Sequence, residues 1–248
     1  MSTLLLALIA GAVIGLALGA LGGGGSVLAV PALIYLLGFT PAAATTASLI
    51  IVTATSATAL YAHATSGNVR WKTGALFAAA GILPAMAAAT LAARLPGQVL
   101  TGAFAAIAGV AALRMLKPPQ AEKEFRPVQP VRAAGAGAGL GAITGFLGVG
   151  GGFLAVPTLV GVLGLRMRTA VGTSLLVITV NSLAALTART GSAAPLHWAV
   201  IAPFTGAAIL GAWDGKRLAA KITGPTLQRT FAVTLLAVAA FMLTDAIR

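Results

Sequence analysis

Cysteine is absent from this 248-residue chain, only 4 residues are acidic and only 2 are histidine. The first absence excludes disulfides, thiolate metal sites and thiol nucleophiles, and leaves the redox compartment unmarked. No metal and no cofactor are expected. Charged residues make up 8% of the chain, against roughly 25% in an ordinary soluble domain, which excludes a water-soluble globule. What is present instead is apolar: 58% of residues are hydrophobic and the mean hydropathy is +0.99. The apolar stretches are too many and too long for one aqueous core, so the chain reads as an all-α polytopic membrane protein, with the lipid bilayer as its surroundings.

The 16 lysines and arginines give a formal net charge of +12. They are confined to short loops and form no basic stripe interleaved with aromatics, so they point to membrane orientation and not to a nucleic-acid partner. The N-terminal run is apolar from Leu4 with no Lys or Arg ahead of it, unlike a cleaved secretory signal, and is expected to be retained as a membrane segment.

Comparing the chain with itself exposes a duplication. At an offset of 126, residues 15–38 align without gaps with 141–164, and Gly15, Gly19, Gly22, Gly24, Gly25, Leu28 and Pro31 meet identical residues at Gly141, Gly145, Gly148, Gly150, Gly151, Leu154 and Pro157. The register continues through Ser48/Ser174, Thr53/Thr179 and Ser56/Ser182, and after one inserted residue Phe104 meets Phe231. Between the copies lies the only strongly polar stretch, KPPQAEKEFRPVQPVR, whose four prolines and alternating charges suit a solvent-exposed linker. The expected organisation is a first transmembrane repeat over 1–116, a cytoplasmic linker over 117–132 and a second repeat over 133–248.

Apolar segments run over 3–38, 42–64, 73–93 and 98–116, then over 133–164, 169–189, 196–213 and 224–244. Six are close to the roughly 20 residues that span a bilayer. The first of each half, as a continuous helix, would reach about 50 Å, well beyond a hydrocarbon core of about 30 Å. It must break, and the glycine runs mark where. If each broken segment returns to the face it came from, the basic residues divide 3 against 13, with Arg94, Arg189 and Arg248 on the poorer face; if it crosses once they divide about 9 against 7. The positive-inside rule selects the first arrangement: both termini outside, the linker in the cytoplasm, and each half a glycine-broken first helix plus about three spanning helices, related as inverted repeats.

Unwound glycine backbone beside a half-helix N-terminus presents several N–H groups and the positive end of a helix dipole, a ready anion site. Two such sites in inverted repeats would face each other near the midplane, where secondary transporters bind substrate. The candidates are Gly22, Gly24, Gly25 and Ser26 in one half and Gly150, Gly151 and Gly152 in the other, with Pro31 and Pro157 expected at the helix breaks. Gly15/Gly19 and Gly141/Gly145 read instead as small-residue packing faces. The second segment of each half is polar for a membrane helix and adds Thr46, Ser48, Thr173, Ser174 and Asn181 as candidate substrate ligands; isolated Ser and Thr of this kind commonly bond their own helix, and Asn181 could equally join helices. His63 and Arg189 hold equivalent positions near the ends of these segments, where each would either draw anions into a vestibule or act as an interfacial base. Glu122, Glu124, Asp214 and Asp245 all lie off the midspan, so a cation path and carboxylate-based proton coupling are disfavoured and an anionic or neutral substrate is expected; a coupling ion held by backbone carbonyls stays open. Ser26 and His63 form the one Ser/His pair that could serve a hydrolase, but Gly152 replaces the serine in the second copy, so no enzyme activity is expected.

The doubled glycine-rich segment followed by Val-Pro-x-Leu (Val30, Pro31, Leu33; Val156, Pro157, Leu159), and the Gly172–Thr173–Ser174–Leu175 run after the second copy, resemble the sulfite exporter TauE/SafE family, also called the toluene sulfonate uptake permease family. The resemblance covers nearly the entire chain. It implies a bacterial inner-membrane carrier of small sulfur-containing anions such as sulfite, sulfonates or sulfoacetate, with motif residues Gly22, Gly24, Gly25, Gly148, Gly150, Gly151 and Gly152. The expected function is secondary transport of a small anion by alternating access at the repeat interface. A passive anion channel and a carrier of small carboxylates are the alternatives, and a homodimeric state is left open.

Overall fold

The computed structural model describes residues 3–21, 24–116, 130–148, 152–165, 167–189, 196–219 and 224–247. All regular structure among them is helical. In chain order the elements are α1 (Thr3–Leu21), a 3₁₀ turn (Gly24–Leu28), α2 (Ala29–Pro31), a π turn (Ala32–Leu36), α3 (Pro41–Ala64), α4 (Trp71–Ala92), α5 (Gly97–Leu116), α6 (Pro130–Leu147), α7 (Gly152–Leu163), α8 (Met167–Ala188), α9 (Trp198–Ala219) and α10 (Gly224–Ile247). Five of the described helices are long and apolar enough to cross a membrane. Leu4, Leu8, Ile9, Val13, Leu83 and Leu210 are exposed along helix faces, as suits side chains whose solvent is lipid.

The first segment of each half changes course at its glycine run: α1 is described to Leu21 and a 3₁₀ turn from Gly24, while α6 ends at Leu147, Gly148 turns with positive φ, and α7 is described from Gly152. The prolines expected at the breaks lie beyond them. Pro31 has αR angles (φ −56, ψ −43) inside continuing helical backbone, and Pro157 is interior to α7. The reason is that proline's fixed φ suits a helix, whereas consecutive glycines give a helix least support. Helix α6 begins at Pro130, inside the stretch expected to be linker. Helix α3 opens as its sequence dictates: Thr40 is extended and accepts the Ala43 N–H at 3.3 Å, and Pro41 takes the first turn, where its missing N–H costs nothing.

The two halves interlock through glycine. Along α1, Gly11, Gly15 and Gly19 lie so close to α9 that a Cβ on them would strike the carbonyl oxygens of Phe204, Ala208 and Ala212. Along α6, Gly137, Gly141 and Gly145 meet the carbonyls of Phe77, Gly81 and Ala85 on α4 in the same way. The two sets are equivalent at offsets of 126 for the glycines and 127 for the carbonyls. Each half thus lends its first helix to the other, and the outer glycines are packing residues: their spacing of four puts one backbone-deep groove along a helix. Trp71 and Trp198, the exposed first residues of α4 and α9, are likewise equivalent at 127.

At the centre α3 and α8, the equivalent polar helices, run antiparallel. Thr45 near the start of α3 meets Arg189 just past the end of α8, Ser56 meets Thr179 midway, and Asn68, beyond α3, meets Gly172 near the start of α8. Thr45 and Arg189 share their end of the bundle with Gly148 and with the Pro41/Gly97 contact; Asn68, Arg70 and Thr173 share the other.

Candidate functional site

The segments that follow the two glycine runs meet. The 3₁₀ turn that carries Ser26 packs on α7, the helix leaving the break of the other half, and Ser26 is fully buried there. Gly24 and Gly25 open that turn and Gly152 opens α7. Gly22, Gly150 and Gly151 lie outside the described residues.

Gly148 ends α6 with φ +65, a left-handed conformation that disfavours any side chain, and it lies flat on Thr45, whose Cβ and carbonyl oxygen would stand 2.6 and 2.7 Å from a Cβ at that position. Beside it Arg189, 4% exposed, donates through Nη1 to Thr45 Oγ1 at 2.6 Å and through Nη2 to the Gly145 carbonyl at 3.0 Å. That carbonyl belongs to the last turn of α6, where helix geometry leaves carbonyls without intrahelical donors and the dipole favours a cation. The arginine expected at a vestibule is therefore turned into the bundle, tying α3, α6 and α8 at the edge of the second break. His63, its equivalent, is also buried, at 8% exposure, and Val171 stands where Thr45 stands in the other half. A small crevice lined by Val30, Thr45, Leu100, Phe104, Phe146 and Leu147 opens beside Thr45.

Midway along the α3/α8 seam Ser56 Oγ and Thr179 Oγ1 are 2.9 Å apart, joining the halves by a side-chain hydrogen bond. The Thr53/Thr179 and Ser56/Ser182 identities are visible in the sequence, where residues repeated in both copies and polar in a membrane helix are the available signal. Of the candidate ligands, Thr46 Oγ1 donates to the Ala42 carbonyl at 3.1 Å and Ser174 Oγ to the Val171 carbonyl at 2.7 Å, so both satisfy their hydroxyl protons within their own helix. Thr173 Oγ1 accepts the Arg70 N–H at 3.0 Å at the entry to α4. Ser48, Asn181 and Ser182 differ: all three are fully buried and their polar side-chain atoms have no hydrogen-bond partner in the protein. Such groups cost about 1–3 kcal/mol each unless something satisfies them, and all three lie on the two helices that join the halves.

A polytopic helical bundle in which the segments after two glycine runs pack together, and in which the helices joining the halves carry unsatisfied polar side chains, has the build of a membrane transporter. The chain belongs to the family described as "Sulfite exporter TauE/SafE", whose description matches residues 7–242. It is similar to two proteins of Xylella fastidiosa named "Probable membrane transporter protein": one from strain 9a5c, 34% identical over 94% of this chain and 92% of that protein, and one from strain Temecula1 / ATCC 700964, 33% identical with the same coverage. No solved structure matches the chain significantly.

Proposed function

We propose that this protein is a secondary transporter of a small sulfur oxyanion or organosulfonate, working by alternating access between two inverted halves. The observation that carries this reading is the packing of the turn after the first glycine run on α7, the helix after the second, in a bundle whose joining helices α3 and α8 carry the buried, unpartnered Ser48, Asn181 and Ser182. Backbone N–H groups at the start of α7 and the seam hydroxyls and amide supply donors for an anion, and the four acidic residues lie on other parts of the chain. Inversion is supported by the antiparallel run of the equivalent helices α3 and α8: two spanning helices with the same role in each half point in opposite directions. Orientation is supported by the ends of the bundle. Arg189 shares one end with the α5 start that follows Arg94, while Arg70 lies at the other, in accord with the 3 against 13 division of basic residues and with termini outside the cell. The family description supports sulfite as the substrate class.

The test is counterflow in proteoliposomes with sulfite, thiosulfate, sulfoacetate, taurine, sulfate, acetate and lactate as internal partners. Saturable exchange of sulfite or sulfonates is expected. Exchange of carboxylates alone would remove the sulfur assignment, and non-saturating flux without counterflow would make the protein a channel.

A further inference from the structure

Asn181 sits at a junction that exists in only one half. It is fully buried on α8, and its side-chain amide lies against Gly81 of α4: a Cβ on Gly81 would stand 2.6 Å from Nδ2, 2.8 Å from Oδ1 and 2.9 Å from the Gly137 carbonyl oxygen of α6. The missing side chain of Gly81 therefore makes the notch that the amide fills. In the other half the equivalent positions hold Thr55 and Ala208, and Thr55 Oγ1 donates to the Ile51 carbonyl at 2.7 Å, so nothing polar is left over. The same helix position can be filled at no polar cost, yet here it carries an amide of which neither the donor nor the acceptor is satisfied by protein. Because both atoms are unpaired, the conclusion does not depend on which way round the amide is placed.

We propose that Asn181, seated in the Gly81 notch, is the specificity-determining contact of a one-sided substrate site and selects an oxyanion that also carries a hydrogen-bond donor. This rests on the anion-transport reading above. Nδ2 donates to an oxygen of the anion and Oδ1 accepts from a hydroxyl or acid proton on it; an anion with oxygens alone sets a lone pair against Oδ1 and leaves that atom unpaired. A site built to bond a particular substrate group rejects the analogue lacking it far more strongly than an apolar pocket rejects a change of size. The first half, with a self-satisfied threonine, makes no such demand, so the two halves divide the work: both supply glycine backbone, one supplies selection.

The probes are hydroxymethanesulfonate and methanesulfonate, which carry the same charge and sulfonate group and differ in one hydroxyl donor. Their KM values are measured in proteoliposome counterflow with the wild-type chain, with Asn181→Ser, and with the double variant Asn181→Thr/Gly81→Ala, which installs the residues of the other half. The wild type is expected to favour the hydroxylated anion by about tenfold or more. The double variant is expected to unfold below the wild-type temperature, because a Cβ at position 81 still stands 2.9 Å from the Gly137 carbonyl oxygen, while its preference falls to near one; Asn181→Ser is expected to lose the preference as well. A wild-type ratio near one, or a double variant that keeps the wild-type ratio, overturns the proposal and makes Asn181 a packing residue. Failure of the wild type to exchange any anion overturns the transport reading itself, which the wild-type arm alone reveals.

Discussion

Arg189, just beyond the end of α8, donates to the hydroxyl of Thr45 near the start of α3, and so a buried guanidinium of one half closes on the other half beside a helix break. Its second arm holds the Gly145 carbonyl, and the two acceptors stand at different helices. Hydrogen bonds to a charged group contribute about 1.5–3 kcal/mol. Arg189→Ala is therefore expected to lower stability by about 2–3 kcal/mol, and Arg189→Lys, which keeps the charge but lacks the forked donors, by an intermediate amount. Chemical unfolding of the purified protein in detergent checks both; equal stabilities of wild type and alanine variant would remove this tie.

The glycine ladders separate positions that look alike in sequence. Gly141→Ala puts a methyl group into the backbone of Gly81, and overpacking of this kind costs about 1–3 kcal/mol or more. Gly102 and Gly139 have open space where a Cβ would be, so alanine there is expected to be neutral or to stabilise by up to about 1 kcal/mol through helix propensity. Melting temperatures of the three single variants, measured side by side, give the ordering Gly141→Ala below wild type and the other two at or above it.

The Ser56–Thr179 hydrogen bond is predicted to couple the halves weakly. Side-chain hydrogen bonds between membrane helices average about 0.6 kcal/mol in double-mutant cycles. Ser56→Ala, Thr179→Val and the pair are expected to show a coupling of that order in stability, and a larger change in the concentration of substrate needed for half-maximal counterflow if the seam opens during transport. Strict additivity in both measurements would place the pair outside the moving seam.

Orientation can be read cleanly because the chain has no cysteine. A cysteine introduced at Gln120 is expected to react with a membrane-impermeant maleimide only after lysis or in inverted vesicles, while one appended after Arg248 reacts in intact cells. The opposite pattern reverses the orientation, and labelling of both from outside removes the odd number of crossings per half.

Much of this architecture is legible in the sequence. The eight apolar segments, their glycine interruptions and the repeat at 126 follow from composition and self-comparison, and the described helices fall within a few residues of those segments at most ends. The outer glycines were legible as packing faces because a spacing of four marks one side of a helix. What periodicity could not supply is which helix faces which. Nothing in the run around Gly15 says that its partner is α9 rather than a neighbour in its own half, and the same gap hid the meeting of Gly81 with Asn181 and the inward turn of Arg189. The displaced prolines have a different cause: Pro31 and Pro157 mark the neighbourhood of a break, but a residue whose φ already suits a helix need not sit at the discontinuity. For the site, the polar residues of the two seam helices were visible as a group. Their division into self-bonded ones such as Thr46 and unsatisfied ones such as Ser48 depends on rotamers set by packing.

The exchange of first helices has a consequence for biosynthesis. Helix α1 ends at Leu21, but the carbonyl ladder it grips belongs to α9, which starts at Trp198. At ribosomal speeds of about 5–20 residues per second, on the order of 10–40 s pass between the two. During that interval the groove of Gly11, Gly15 and Gly19 must be filled by lipid or by a chaperoning helix of the insertion machinery, and α1 is open to capture by any other small-residue surface. Helix α6, by contrast, emerges after α4 and finds its ladder already in the membrane. The second half can therefore assemble as it is made, while the first half waits for the end of the chain, and a truncation before α9 leaves the earliest helix without its seat.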